Sequence, residues 1–106
     1  MKKAIGILIF TNQSVLDHKL EDGKESNDCY CYWEMGRFPK RFINSDNDIE
    51  LRLYMAIKGQ VKGYFIIHDY DDTLMFYSES WHPLKNGEQL KPSQGFRYYN
   101  HDDGAI

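Results

Sequence analysis

The stretch from Ile49 to Ile67 constrains this chain more than any other. Leu51, Leu53, Met55 and Ile57 alternate with Glu50, Arg52, Tyr54 and Ala56, the period-two pattern of a strand with one face in a core. Lys58-Gly59-Gln60 supplies a tight turn, in which Gly59 takes a positive φ at little cost. Val61, Gly63, Phe65 and Ile67 then alternate with Lys62, Tyr64, Ile66 and His68. Two alternating runs joined so closely predict a β-hairpin. An isolated hairpin is marginal in water, so the rest of the chain must supply strands that cover it.

Those strands can be read. Ala4-Ile5-Gly6-Ile7-Leu8-Ile9-Phe10 is apolar at successive positions and suits a central strand buried on both faces. The run ends without a small-residue cleavage site and is too short to cross a bilayer, so it reads as neither leader nor anchor. Ser14-Val15-Leu16-Asp17 resembles a capping box, with Ser14 as N-cap. It predicts a short helix over 15–22, with Val15, Leu16, Lys19 and Leu20 on one side and Gly23 ending it. Cys29 to Met35 reads as a second strand with Cys29, Cys31, Trp33 and Met35 on one face. Gly36 to Phe42 reads as a loop that Gly36 and Pro39 keep irregular. Asp69-Tyr70-Asp71-Asp72 turns the chain, and Thr73 to Ser78 and Phe96 to Asn100 form later strands. Trp81-His82-Pro83 and Gly87 fall in a longer connection between them. The expected architecture is mainly β, with about six strands and one short helix in a single domain over 1–106. Closure toward a barrel would protect its strand edges.

Composition narrows the function. With 42% hydrophobic and 27% charged residues the chain is not of the disordered class. A net charge of -3 removes any global electrostatic grip on nucleic acid, so such binding would need a local basic patch. Two cysteines, Cys29 and Cys31, are too few for a secreted disulfide scaffold and predict reduced thiols in the cytoplasm. Their one-residue gap is not that of a zinc knuckle, and Asp46-Asn47-Asp48 lacks the glycine and final Glu of a calcium loop. Asp69, Asp71 and Asp72 read as a turn. With no phosphate-binding glycine loop and no G-x-S-x-G, neither metal nor cofactor is expected.

Three segments could carry recognition. In Trp33-Glu34-Met35-Gly36-Arg37-Phe38-Pro39-Lys40-Arg41-Phe42 three cations interleave with rings, suiting phosphates and stacked bases. The same segment also reads as a solvated loop anchored by Phe38 and Phe42. In Ser80-Trp81-His82-Pro83 the Trp is either a pocket wall or a plug under the long connection. Ser80 and His82 suggest a nucleophile and base, but no orienting acid or oxyanion hole can be located. In Lys91-Pro92-Ser93-Gln94-Gly95-Phe96-Arg97-Tyr98-Tyr99, Arg97 lies on the face opposite Phe96 and Tyr98. It either holds a phosphate or base edge, or pairs with a surface carboxylate. The candidate ligand-binding residues are therefore Trp33, Arg37, Phe38, Lys40, Arg41, Trp81, His82, Gln94, Arg97 and Tyr98, with no catalytic or metal-binding set.

Leu53-Tyr54-Met55-Ala56-Ile57-Lys58-Gly59-Gln60-Val61-Lys62-Gly63-Tyr64-Phe65 resembles the paired central strands of the PUA-like superfamily, which includes PUA, ASCH and EVE domains. Trp81-His82-Pro83 and Gly95-Phe96-Arg97-Tyr98 resemble its later segments. The resemblance covers about half the chain. It implies a small pseudo-barrel with a helix after the first strand, and binding of RNA, or of DNA bases that carry modifications, in an aromatic and basic cleft. Some ASCH relatives are amidohydrolases on acylated nucleosides, but their Gly-x-Lys-Thr segment is absent here, Gly36-Arg37-Phe38-Pro39 being the nearest match.

The resulting expectation is a nucleic-acid or modified-base reader, taking RNA or DNA with a flipped base, and no membrane. Two rivals stand beside it. One is a small protein-interaction inhibitor of the phage or mobile-element kind, using Asp69, Asp71, Asp72, Asp102 and Asp103 against a basic partner. The other is an amidohydrolase on a modified nucleoside, with Glu34, Lys40 and Ser80 as loose candidates.

Overall fold

A computed structural model of the chain describes residues 4–25, 31–34, 40–43, 49–71, 73–85, 87–92 and 96–99. Among them run β1 (Ala4–Thr11), α1 (Gln13–Glu25), β2 (Cys31–Glu34), α2 (Lys40–Ile43), β3 (Glu50–Ile57), β4 (Gln60–Tyr70), β5 (Thr73–Phe76), a 3-10 turn (Ser78–Ser80), β6 (His82–Pro83) and β7 (Phe96–Tyr98). The strands form one mixed sheet in the order β2-β5-β4-β3-β1-β7, with β6 added to β4, and the sheet curls into a half-barrel. The mainly-β, barrel-like class with one principal helix is the one the alternation predicts.

The hairpin is β3 and β4. Ile57 pairs with Gln60, leaving Lys58 and Gly59 as a two-residue loop. Their φ angles of 53° and 85° are both positive, as a type I′ turn requires. On the other edge of β3, β1 runs parallel from Ala4 opposite Glu50 to Thr11 opposite Ile57. Adjacent parallel strands need a long crossover, and α1 lies within it. β7 closes the outer edge of β1 in antiparallel register, Ile7 to Tyr98 and Ile9 to Phe96. β1 is thus the interior strand that its unbroken apolar run calls for.

The helix differs from expectation at both ends. Its N-cap is Asn12, whose Oδ1 accepts the Val15 amide at 2.9 Å, and Asp17 accepts a hydrogen bond from the Gln13 side chain. Asn caps as well as Ser does, so the helix starts where the strand before it releases the chain. Gly23 is carried inside the helix, at a cost of about 1 kcal/mol relative to Ala. Leu16 is buried and Leu20 packs beside it. A second correction concerns the basic-aromatic segment. Its end is not loop but the helical turn α2, and the Phe42 side chain within it is fully buried. Tyr70 donates its hydroxyl hydrogen to the Phe42 carbonyl at 3.0 Å and holds that turn against the sheet. β5 ends at Phe76 and β7 at Tyr98, both shorter than expected, while Cys29, Tyr30 and Met35 of the expected second strand lie outside the described residues.

Two clusters occupy the two faces. The inner one holds Ile7, Ile9, Leu16, Phe42, Leu51, Leu53, Met55, Ile57, Phe65, Ile67, Leu74 and Phe76. The outer one holds Leu8, Tyr54, Ala56 and Val61, flanked by Phe10, Tyr64, Leu84, Leu90 and Tyr99. A bulge separates them on β4. Met55 pairs with Gly63 but Ala56 pairs with Val61, so Lys62 is the extra residue and the alternation changes phase. Val61 therefore faces the outer cluster rather than sharing a face with Gly63, Phe65 and Ile67. There the chain from Leu84 to Leu90 straps over it. Leu84 donates to the Lys62 carbonyl at 2.9 Å, Val61 to Glu88 at 2.9 Å and Leu90 to Gly59 at 2.6 Å.

Candidate nucleic-acid interface

The expected site residues go to different places. Trp33 lies on β2 opposite Leu74, half-buried against the inner cluster. Trp81 follows the 3-10 turn and packs on the same cluster, its ring centroid 4.8 Å from that of Phe65. Both indoles lie against core side chains of the inner cluster, on the face away from the strap over Val61. Phe96 and Tyr98 also turn inward and pack on the inner cluster. Lys40 is exposed on α2. Arg37, Phe38 and Gln94 lie outside the described residues, as does the side chain of Arg41. His82 and Arg97 share the other face, and both are exposed.

That outer face has an order the sequence does not display. Across the sheet, His82 on β6 pairs with Tyr64 on β4, Tyr64 with Tyr54 on β3, Tyr54 with Leu8 on β1, and Leu8 with Arg97 on β7. Residues directly opposite share a face, so these five form one row. Four inter-strand steps make it about 19 Å long. The rings touch along it. Tyr64 and His82 stack with centroids 4.9 Å apart and planes 3° from parallel. Tyr54 lies 5.1 Å from Tyr64 and meets Tyr99 edge-on at 5.0 Å. Gly6 makes this possible, because a Cβ there would come 2.5 Å from Cε2 of Tyr54.

Arg52 adds charge to the row. Its guanidinium carbon lies 4.4 Å from the Tyr64 ring centroid. Its Nε donates to Glu50 at 2.6 Å and another guanidinium nitrogen donates to the Tyr54 hydroxyl at 3.1 Å. Burial acts to lower its pKa, but the hydrogen bonds to Tyr54 and Glu50 outweigh it and hold the pKa above the ordinary value. Because β3 and β6 flank β4 on opposite sides at Tyr64, that ring stands between a guanidinium and an imidazole.

Two further groups shape the site. The His82 Nδ1 lies 2.6 Å from the Ser80 carbonyl. A carbonyl only accepts, so Nδ1 carries the hydrogen. At the far end the Tyr99 hydroxyl is buried without a hydrogen-bond partner among the described residues. Burial first, then the nearby Glu88 carboxylate, pushes its pKa up to about 12, against a smaller opposing effect of Arg97.

The nucleophile arrangement does not form. Ser80 Oγ donates to the Tyr77 carbonyl at 2.6 Å and accepts the Ile66 amide at 3.1 Å, and His82 meets the Ser80 carbonyl instead. Asp69 and Asp71 cap the β4–β5 turn, accepting the amides of Tyr70 at 2.8 Å and Thr73 at 3.0 Å. Among the described residues no three His, Cys, Asp or Glu group to hold a metal ion, and no helix is long and apolar enough to cross a membrane.

Sequence reasoning reached His82 and Arg97 but missed Tyr64, Tyr54, Arg52 and Tyr99. The available signal was a pair of tyrosines and an arginine at hairpin positions assigned to the solvent side. Comparisons with protein-family models, with curated proteins and with solved structures find no match to this chain.

Proposed function

We propose that this protein is a nucleic-acid-binding module of PUA-like type, which takes up an ordinary or modified base on the outer face of its sheet. One observation carries the reading. The exposed imidazole of His82 lies flat on Tyr64, and Tyr64 is backed by Arg52. An exposed ring already held in place offers a base a flat partner without having to be ordered on binding. Base–ring stacking contributes roughly 1–3 kcal/mol per base, and a cation behind the ring adds to it. Arg97, exposed about 19 Å away in the same row, supplies a phosphate contact along a strand crossing the sheet. The PUA-like assignment draws support from the helix after β1 and the hairpin-centred, curled sheet.

Binding is favoured over hydrolysis because the Ser80 hydroxyl is committed to two backbone groups. Labelled single-stranded oligonucleotides, plain and base-modified, titrated at several salt concentrations test the proposal. Affinity should fall linearly on a log–log salt plot, as displaced counterions require. His82→Ala should weaken binding by roughly fivefold or more. Absence of binding throughout, or affinity indifferent to salt, overturns it.

A further inference from the structure

We infer that His82 reads the sugar of the bound nucleotide and makes the site prefer RNA to DNA. The inference rests on the proposed base-binding role of the same ring. It starts from the Ser80 carbonyl, 2.6 Å from His82 Nδ1, which fixes the hydrogen of the neutral imidazole on that nitrogen. Nε2 is then an acceptor, and it lies at the rim of an exposed ring whose face packs on Tyr64.

A base stacked on that imidazole cannot satisfy Nε2. The N–H groups of a base lie in the plane of the base, parallel to the imidazole and one ring thickness above it. The Nε2 lone pair points within the imidazole plane. The group that meets it must sit beside the ring, where the sugar of a stacked nucleotide descends from the edge of its base. Within a DNA strand the sugar and phosphate offer only acceptors. An RNA strand adds one donor at that place, the 2′-hydroxyl, which is the group by which proteins tell the two polymers apart. A lone pair facing a 2′-hydroxyl gains a hydrogen bond, and the same lone pair facing deoxyribose gains none. Ser80 is thus a positioning residue. It acts through its backbone carbonyl, on the tautomer.

The test compares single-stranded RNA, DNA and 2′-O-methyl RNA of one base sequence, each labelled with fluorescein and titrated by anisotropy at neutral pH. The methylated strand keeps the ribose but loses the donor. RNA should bind roughly three- to tenfold more tightly than either of the others, the worth of one net hydrogen bond. In His82→Phe, which keeps a flat ring and removes the acceptor, the RNA-to-DNA ratio should fall to about one, whatever the common affinity becomes. Equal binding of RNA and DNA by the wild type overturns the inference and leaves the base-binding proposal standing. So does a preference that persists in His82→Phe, or 2′-O-methyl RNA that binds as RNA does. Failure to bind any strand overturns both.

Discussion

The indole of Trp81 occupies the space that a side chain at position 63 would need. A Cβ on Gly63 would come 2.7 Å from Cζ2 and 2.9 Å from Cη2 of that ring, and would also press on the His82 carbonyl. Gly63→Ala should therefore cost about 1–3 kcal/mol, the usual penalty of overpacking. Urea unfolding checks it, with the midpoint lowered and the slope unchanged. Because the displaced carbonyl belongs to His82, the same variant should also weaken oligonucleotide binding.

The helix cap separates two neighbouring polar residues. Asn12 holds the Val15 amide through its side chain, whereas Ser14 is exposed within the first turn. Asn12→Ala should lose about 1 kcal/mol of stability, whereas Ser14→Ala should be neutral or gain a few tenths, Ala being the better helix former. Thermal unfolding of the two variants side by side gives the answer.

Tyr99 makes stability depend on alkaline pH. Its phenol is raised from the ordinary 10 to about 12, so the folded state keeps a proton that the unfolded chain releases earlier. The stabilisation is complete below about pH 10 and is lost as the pH rises through about 12. Tyr99→Phe should flatten the fall in stability across that window and remove from an ultraviolet titration a phenol that ionises near pH 12. At neutral pH it should be nearly neutral for stability, because the buried hydroxyl makes no well-formed hydrogen bond with the described residues.

Arg97 tests the row from its other end. If it contacts phosphate, Arg97→Ala should weaken binding to all sequences alike and reduce the salt slope by about one. If it contacts a base edge instead, the loss will be confined to particular sequences. Fluorescence anisotropy at several salt concentrations distinguishes the two.

The hairpin and the opposite facing of Arg97 were legible because each rests on local alternation, and the interior position of the first strand because its apolar run is unbroken. The row across the outer face was not, and one residue explains why. A two-residue loop at Lys58-Gly59 with unbroken pairing would set Tyr54 opposite Gly63. The bulge at Lys62 instead brings Tyr64 opposite Tyr54 and turns Gly63 and Phe65 to the inner face, leaving Val61 outward. Gly63 is the one local sign of a bulge, and the strap that pairs with Val61 and Lys62 there comes from more than twenty residues further along the chain. The two Trp residues stayed ambiguous for a related reason. A ring beside a proline or a basic run has the same local sequence whether it faces a ligand or a core.

The parallel pairing of β1 with β3 bears on how the chain reaches this arrangement. The β3–β4 hairpin closes over two residues and can form within microseconds. Ile7, by contrast, must find Leu53 nearly half the chain away and Tyr98 near its other end. Contacts so distant in sequence are entropically costly to close, and they slow folding. During synthesis this strand emerges before either β3 or β7 and waits for both partners. In that interval Ile5, Ile7 and Ile9 are the segment most exposed to aggregation, and a chaperone acting on this protein would be expected to bind there.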